Sequence, residues 1–213
     1  MNLSQNNLIA VWKQFLSDRN FLIQFLISMC VLGSFALIFP RFFDFVESRK
    51  GNIISDPLIE MLPAADVSWM IFSLLYFGII SWLLSVAKTP DAMLAGLQTY
   101  ILVTLMRLVS ITLFPFEPPV NYIPLNEPFV QLFTNGKRII SKDLFFSGHM
   151  TSILVCYLHA QKGAQKKIYF YSAVAIGILL MVQLVHYAID IIAAPVFTYL
   201  CFLSVKKYLA VKI

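Results

Sequence analysis

The sequence predicts an all-α, polytopic membrane protein, with six transmembrane helices preceded by an amphipathic helix at the membrane interface. Three observations predict it. Of the 213 residues, 59% are hydrophobic and 13% charged, against about 45–50% and about 25% in soluble domains. The mean hydropathy is +0.78. The apolar residues gather into runs of about 20, the length that crosses a ~30 Å hydrocarbon core.

The first segment, residues 1–19, carries Leu8, Ile9, Val11, Trp12, Phe15 and Leu16 at helical spacing, which predicts a helix lying on the membrane surface. It has no basic start, continuous apolar centre or small-residue cleavage site, so we expect no cleaved signal peptide. The membrane domain then runs over 20–206, and 207–213 form a short basic tail. Span one is expected over 20–39, ended by Pro40, since proline removes a helix donor and crowds the preceding turn. Span two is expected near 67–87 and span three near 92–114. The segment PFEPPVNYIPLNEPFVQLFTNGKRIISK follows. Its prolines exclude regular helix, and Asn135-Gly136 marks a turn. Its Lys137, Arg138 and Lys142 either draw anionic head groups or form a solvated basic face.

Span four is expected over about 144–160 and is short. From Ile168 to Val205 the chain is almost continuously apolar, and as one helix it would measure about 57 Å, too long for the bilayer. It must fold back. The polar interruption is QLVHYAID, Gln183 to Asp190, so a tight turn is expected just before His186, with span six starting there. The three cysteines, Cys30, Cys156 and Cys201, lie in different apolar runs without pairing or metal spacing and read as small buried hydrophobes.

Charge sets the expected orientation. With a cytosolic N-terminus, nine of the 16 Lys and Arg and two of the 11 acids fall at the inner ends of the spans. The positive-inside rule then places both termini in the cytosol. The net charge of +5 is accounted for by membrane topology and calls for no nucleic-acid partner. In this arrangement His149 and His186 both emerge at the extracytoplasmic face. His159, ten residues beyond His149, lies about 15 Å deeper and reads as an ordinary interfacial residue.

Two stretches carry chemistry. In HYAID, His186 and Asp190 are four residues apart, a spacing that brings side chains together on a helix. The carboxylate can hold one imidazole nitrogen and leave the other as a directed nucleophile or base, or the pair can simply staple two helices. In KDLFFSGHM, Ser147 offers a hydroxyl, Gly148 allows close backbone approach, and the N–H groups opening span four favour an anion. His149 supplies a second imidazole. Arg107, about two turns below Pro115, either reaches up to phosphate oxygens or snorkels to the head groups. No carboxylate cluster suggests a metal site.

FSGH (Phe146 to His149) together with HYAID (His186 to Asp190) resembles the sphingomyelin synthase branch of the type 2 phosphatidic acid phosphatase superfamily. KDLFFSGHM and HYAIDIIAA are similar to the FSGHT and HYTIDV motifs of that branch, RLVSITLFPFEPP to its Arg-led segment, and DPLIEMLPAAD (Asp56 to Asp66) more loosely to its Pro-Leu-Pro-Asp region. The resemblance covers roughly residues 56–200. The chain has Phe146 where other lipid phosphatases of the superfamily have proline, and it lacks their Lys-to-Arg-Pro motif. It also has Val185 where the synthases carry an acid and Met150 where they carry threonine, which leaves head group and acceptor open.

The resemblance implies a membrane lipid phosphotransferase with a His149, His186 and Asp190 triad and no cofactor. His186 would attack the phosphorus of a phospholipid and form a phosphohistidine, while His149 protonates the departing alcohol. Arg107, Ser147 and Gly148 would hold the phosphate. The acceptor would be a lipid alcohol such as ceramide or diacylglycerol. The alternatives are a lipid phosphate phosphatase using water, and a noncatalytic lipid-binding protein that keeps the fold.

Overall fold

The computed structural model describes residues 8–125 and 140–209. Among these the protein is helical, with a single parallel bridge between Asn52 and Phe116 and no strands. In chain order the helices are α1 (Leu8–Ser17), α2 (Arg19–Ser48), α3 (Pro57–Glu60), α4 (Ser68–Val86), α5 (Pro90–Leu113), α6 (Gly148–His159), α7 (Ala164–Val182) and α8 (Ala188–Tyr208). The Asn135-Gly136 turn, Lys137, Arg138, residues 1–7 and the end of the basic tail lie outside the described residues.

Five of these helices (α2, α4, α5, α7 and α8) are long and apolar enough to cross a membrane. The sixth expected span is α6, whose 12 residues rise only about 18 Å. It is short because the chain before it does not wind. Ser147 is an N-cap in extended conformation, and the carbonyls of Phe145 and Phe146 accept hydrogen bonds from side chains of α5. Short as it is, α6 forms the centre of the bundle and packs against α4, α5, α7 and α8. Ile153 at its middle is fully buried. Gly78 of α4 lets that side chain in, since a Cβ there would stand 2.5 Å from Ile153 Cδ1.

Span one differs from expectation at its end. Pro40 lies inside α2, which runs on to Ser48. In lipid a freed backbone group has no water to turn to, so a helix carries through a proline that would end it in water. Phe43 and Val46, beyond the proline, are buried against the bundle and reward the continuation. At 30 residues, α2 is about 45 Å long and outreaches the hydrocarbon core. Its other end turns at the Asp18 cap, whose carboxylate accepts from Phe21 N at 2.9 Å. From there α1 lies back against α2 and α5. Trp12 Nε1 donates to the carbonyl of Ala87 at 2.8 Å, which ties α1 to the α4–α5 turn.

The cysteines are all free. Cys156 and Cys201 are buried as expected, but Cys30 is exposed on the outer face of α2, where an apolar run meets lipid rather than protein. His159 ends α6 at the end of the bundle opposite His149. It shares a 2.9 Å hydrogen bond with Thr99 Oγ1 and sets its ring edge against Phe202.

Candidate active site

The fold-back between α7 and α8 is where the structure departs most usefully from simple helix geometry. α7 ends at Val182, and residues 183–187 form a turn, so His186 is not on α8 but just before it. Gln183 pins the turn from inside. Fully buried, it accepts from Val67 N at 3.1 Å and donates to Ser68 Oγ at 2.7 Å. The pairing of His186 with Asp190 therefore comes from the N-terminus of a helix. Asp190 is the third residue of α8, and its Oδ2 accepts the N–H of the capping residue Tyr187 at 3.1 Å, half of a capping box. The same oxygen lies 3.0 Å from His186 Nδ1.

An ionised carboxylate can only accept, so Nδ1 carries the proton and Nε2 keeps its lone pair. Both residues are enclosed, His186 at 3% exposure and Asp190 at 0%. The other carboxylate oxygen, Oδ1, accepts from Phe145 N at 3.1 Å, and the Asp190 carbonyl accepts from Ser147 N at 3.4 Å. One residue thus holds the HYAID turn and the DLFFSGH segment together.

That segment is fixed from α5 as well. Ser110 Oγ donates to the Phe145 carbonyl at 2.7 Å, and Arg107 Nε donates to the Phe146 carbonyl at 3.0 Å. Phe146, which replaces proline, is buried and stacks on Phe197 of α8 with centroids 4.8 Å apart. Ser147 is wholly buried, and its Oγ accepts from Met150 N at 3.4 Å as the cap of α6. Gly148 lies directly beneath the Arg107 guanidinium, where a Cβ would meet Nη1 at 2.5 Å, Cζ at 2.6 Å and Nη2 at 2.8 Å.

His149 follows. Its ring sits edge-on to Phe72 of α4 at 5.6 Å, and its Nδ1 is buried without a hydrogen-bond partner among the described residues. The residues singled out in the sequence therefore converge at one end of the bundle.

Two further acids join them. Arg107 Nη2 forms an ion pair with Asp143 Oδ1, so the guanidinium neither snorkels freely nor stands unpaired. Asp56 caps α3 through Leu58 N and accepts Ala188 N, the first residue of α8, at 2.7 Å. Sequence reasoning does not single out either acid as a site residue. A signal existed for Asp143, an acid beside an apolar run into which an unpaired arginine had already been placed. Lys142, expected as a free basic residue, is instead internal. It donates to Glu117 Oε1 at 2.9 Å and to the Arg49 carbonyl at 2.6 Å, and this loop pairing holds the Glu117 carboxyl below its ordinary value, helped by Gly51 N–H. Beside Phe145 an apolar cavity of about 340 Å³ is lined by Leu105, Met106, Val109, Ser110 and Phe197 among others.

No curated protein and no solved structure gives a significant match to the chain. Residues 142–208 match the family model described as PAP2 superfamily C-terminal, and the matched segment carries the SGH turn, His149, His186 and Asp190.

Proposed function

We propose that the protein is a membrane lipid phosphotransferase of sphingomyelin synthase type, moving a phosphorylated head group from a phospholipid to a lipid alcohol such as ceramide or diacylglycerol. The observation that carries the reading is Asp190. It orients His186 through Nδ1 at 3.0 Å and anchors the SGH segment through Phe145 N at 3.1 Å, which ties a directed imidazole to the segment that carries His149, whose Nδ1 has no hydrogen-bond partner among the described residues.

His186 Nε2 gives its lone pair to phosphorus as the bond from phosphorus to the diacylglycerol oxygen breaks. His149, protonated, hands its proton to that oxygen. The acceptor hydroxyl then attacks phosphorus, the P–N bond breaks and its electron pair returns to Nε2, and the hydroxyl proton passes to His149, which restores the starting state. Asp190 stabilises the charge that develops on His186 in the first step. The N-terminus of α6 and the Arg107 guanidinium offer donors to the phosphate oxygens. The apolar cavity beside Phe145 suits an acyl chain. The charge pattern of the loops favours cytosolic termini and an extracytoplasmic site.

The test is to give the purified protein a head-group-labelled phospholipid with ceramide or diacylglycerol and resolve the products. A new labelled phospholipid supports transfer. Release of the labelled, phosphorylated head group to water moves the reading to a hydrolase. No turnover, with no acid-labile phosphate on the protein, sinks both.

A further inference from the structure

We propose that Asp143 selects the charge of the phosphate group the site accepts, admitting singly charged phosphodiesters and turning away doubly charged phosphomonoesters. The inference rests on the proposed reading of Arg107 as the phosphate-binding cation. Its ground is the ion pair of Arg107 Nη2 with Asp143 Oδ1, made while Arg107 Nε is held by the Phe146 carbonyl at 3.0 Å. The guanidinium is thereby locked over Gly148, and its positive charge is balanced before any substrate arrives.

The neighbouring cations do not make up the difference. Lys142 is engaged by Glu117 and the Arg49 carbonyl. Arg49 spends both terminal nitrogens on the carbonyls of Ile111 and Thr112, each at 2.8 Å. A second carboxylate, Asp190, stands behind His186. Against the three carboxylates of Asp143, Asp190 and Asp56, the described residues of the cluster set one guanidinium, the His149 imidazole and a helix N-terminus equivalent to about half a positive charge.

A phosphodiester carries one negative charge, whereas a phosphomonoester carries about 1.5 to 2 near neutral pH. The Arg107 and Asp143 side chains are only 13% and 27% exposed, so water screens the second charge poorly. Repulsion from Asp143 then discriminates between two substrates that share the same donors and the same leaving group. Asp143 thus has two effects, orienting the guanidinium and limiting the charge it can receive. Only the second changes the ratio of monoester to diester turnover.

The experiment compares kcat/KM for p-nitrophenyl phosphate and for methyl p-nitrophenyl phosphate in the parent protein, in Asp143→Asn and in Asp143→Glu. The ratio of monoester to diester turnover should rise about tenfold or more in Asp143→Asn and return towards the parent in Asp143→Glu. A parallel change on both probes, with the ratio within about twofold of the parent, overturns the selection and leaves the proposed reaction standing. A parent protein that turns over neither probe and traps no phosphate on His186 overturns the reaction itself, and the inference with it. A second measurement needs no variant. At pH 8 dimethyl phosphate, a monoanion, should inhibit the parent more strongly than methyl phosphate, mostly a dianion, and equal or stronger inhibition by methyl phosphate overturns the proposal.

Discussion

The Asp190 carboxylate reaches across the bundle to the backbone N–H of Phe145 at 3.1 Å. A residue at the start of α8 thereby sets the conformation of the segment that opens α6. With Tyr187 N and His186 Nδ1 on the other oxygen, the carboxylate accepts three N–H donors and has no place for a donor of its own.

Asp190→Asn is therefore not a mild change. Whichever way the amide turns, its NH₂ faces at least one N–H, and a buried donor goes unsatisfied. The expected cost is about 1–3 kcal/mol of stability. Phosphoryl transfer should fall by about 10³–10⁴, by analogy with loss of the orienting carboxylate in a Ser-His-Asp triad. Thermal unfolding in detergent and the labelled-phospholipid assay measure the two effects. Near-parental transfer would mean that Asp190 is a helix staple and no more.

The two histidines should separate by leaving group. Replacing His149 by alanine removes a proton donor, so turnover of the natural lipid should drop by about 10²–10⁴ while an activated p-nitrophenyl phosphodiester is spared. Replacing His186 by alanine should abolish the covalent phosphate with either substrate. Rescue of His186→Ala by the activated substrate, with His149→Ala still inactive on it, would reverse the two roles.

Gly148→Ala tests the seat of the guanidinium. The new Cβ would fall 2.5 Å from Arg107 Nη1, so the arginine must leave Gly148 or α6 must shift. Arg107→Lys should behave alike, since one ammonium cannot serve the Phe146 carbonyl, Asp143 and a phosphate in the same geometry. Each is expected to lower kcat/KM about 10²-fold. Parental activity in Arg107→Lys would show that only the charge matters.

Topology can be read with a membrane-impermeant thiol reagent on intact cells. Because native Cys30 is exposed, the parent for this test is Cys30→Ser. Asn135→Cys should label and Lys166→Cys should not. Labelling of position 166 without 135 would invert the orientation and move the site to the cytosol.

The loop pair between Lys142 and Glu117 predicts a dependence on pH. Its hydrogen bonds depress the Glu117 carboxyl below 4.5, so the contribution to stability is fully present above that value. It is lost as pH falls through the depressed value. The pair is partly exposed, so the contribution should be no more than about 1 kcal/mol. Comparing the unfolding temperature of Glu117→Gln with that of the parent should show a gap at pH 7 that closes in strong acid. A gap that persists there would assign the effect to packing.

Much of this protein was legible in its sequence for a physical reason. Burial in lipid demands long apolar helices, and that demand is written residue by residue into α2, α4, α5, α7 and α8. A chain too long for the bilayer between Ile168 and Val205 had to turn, and the polar stretch Gln183 to Asp190 marks where. The sequence by itself also paired His186 with Asp190 and set His149 at the same end, because chain reversals of known length return a residue to a known depth. It misjudged Pro40, whose effect depends on whether water or lipid surrounds the freed backbone, and the length of α6, because Asp143 to Ser147 bond to α5 and α8 instead of winding. Tertiary structure alone decided that Arg107 is neutralised by Asp143, that Asp190 holds Phe145 and that Asp56 caps α8. Each joins segments far apart in the chain, and hydrophobic periodicity records which face of a helix is buried but not which polar group will meet it there.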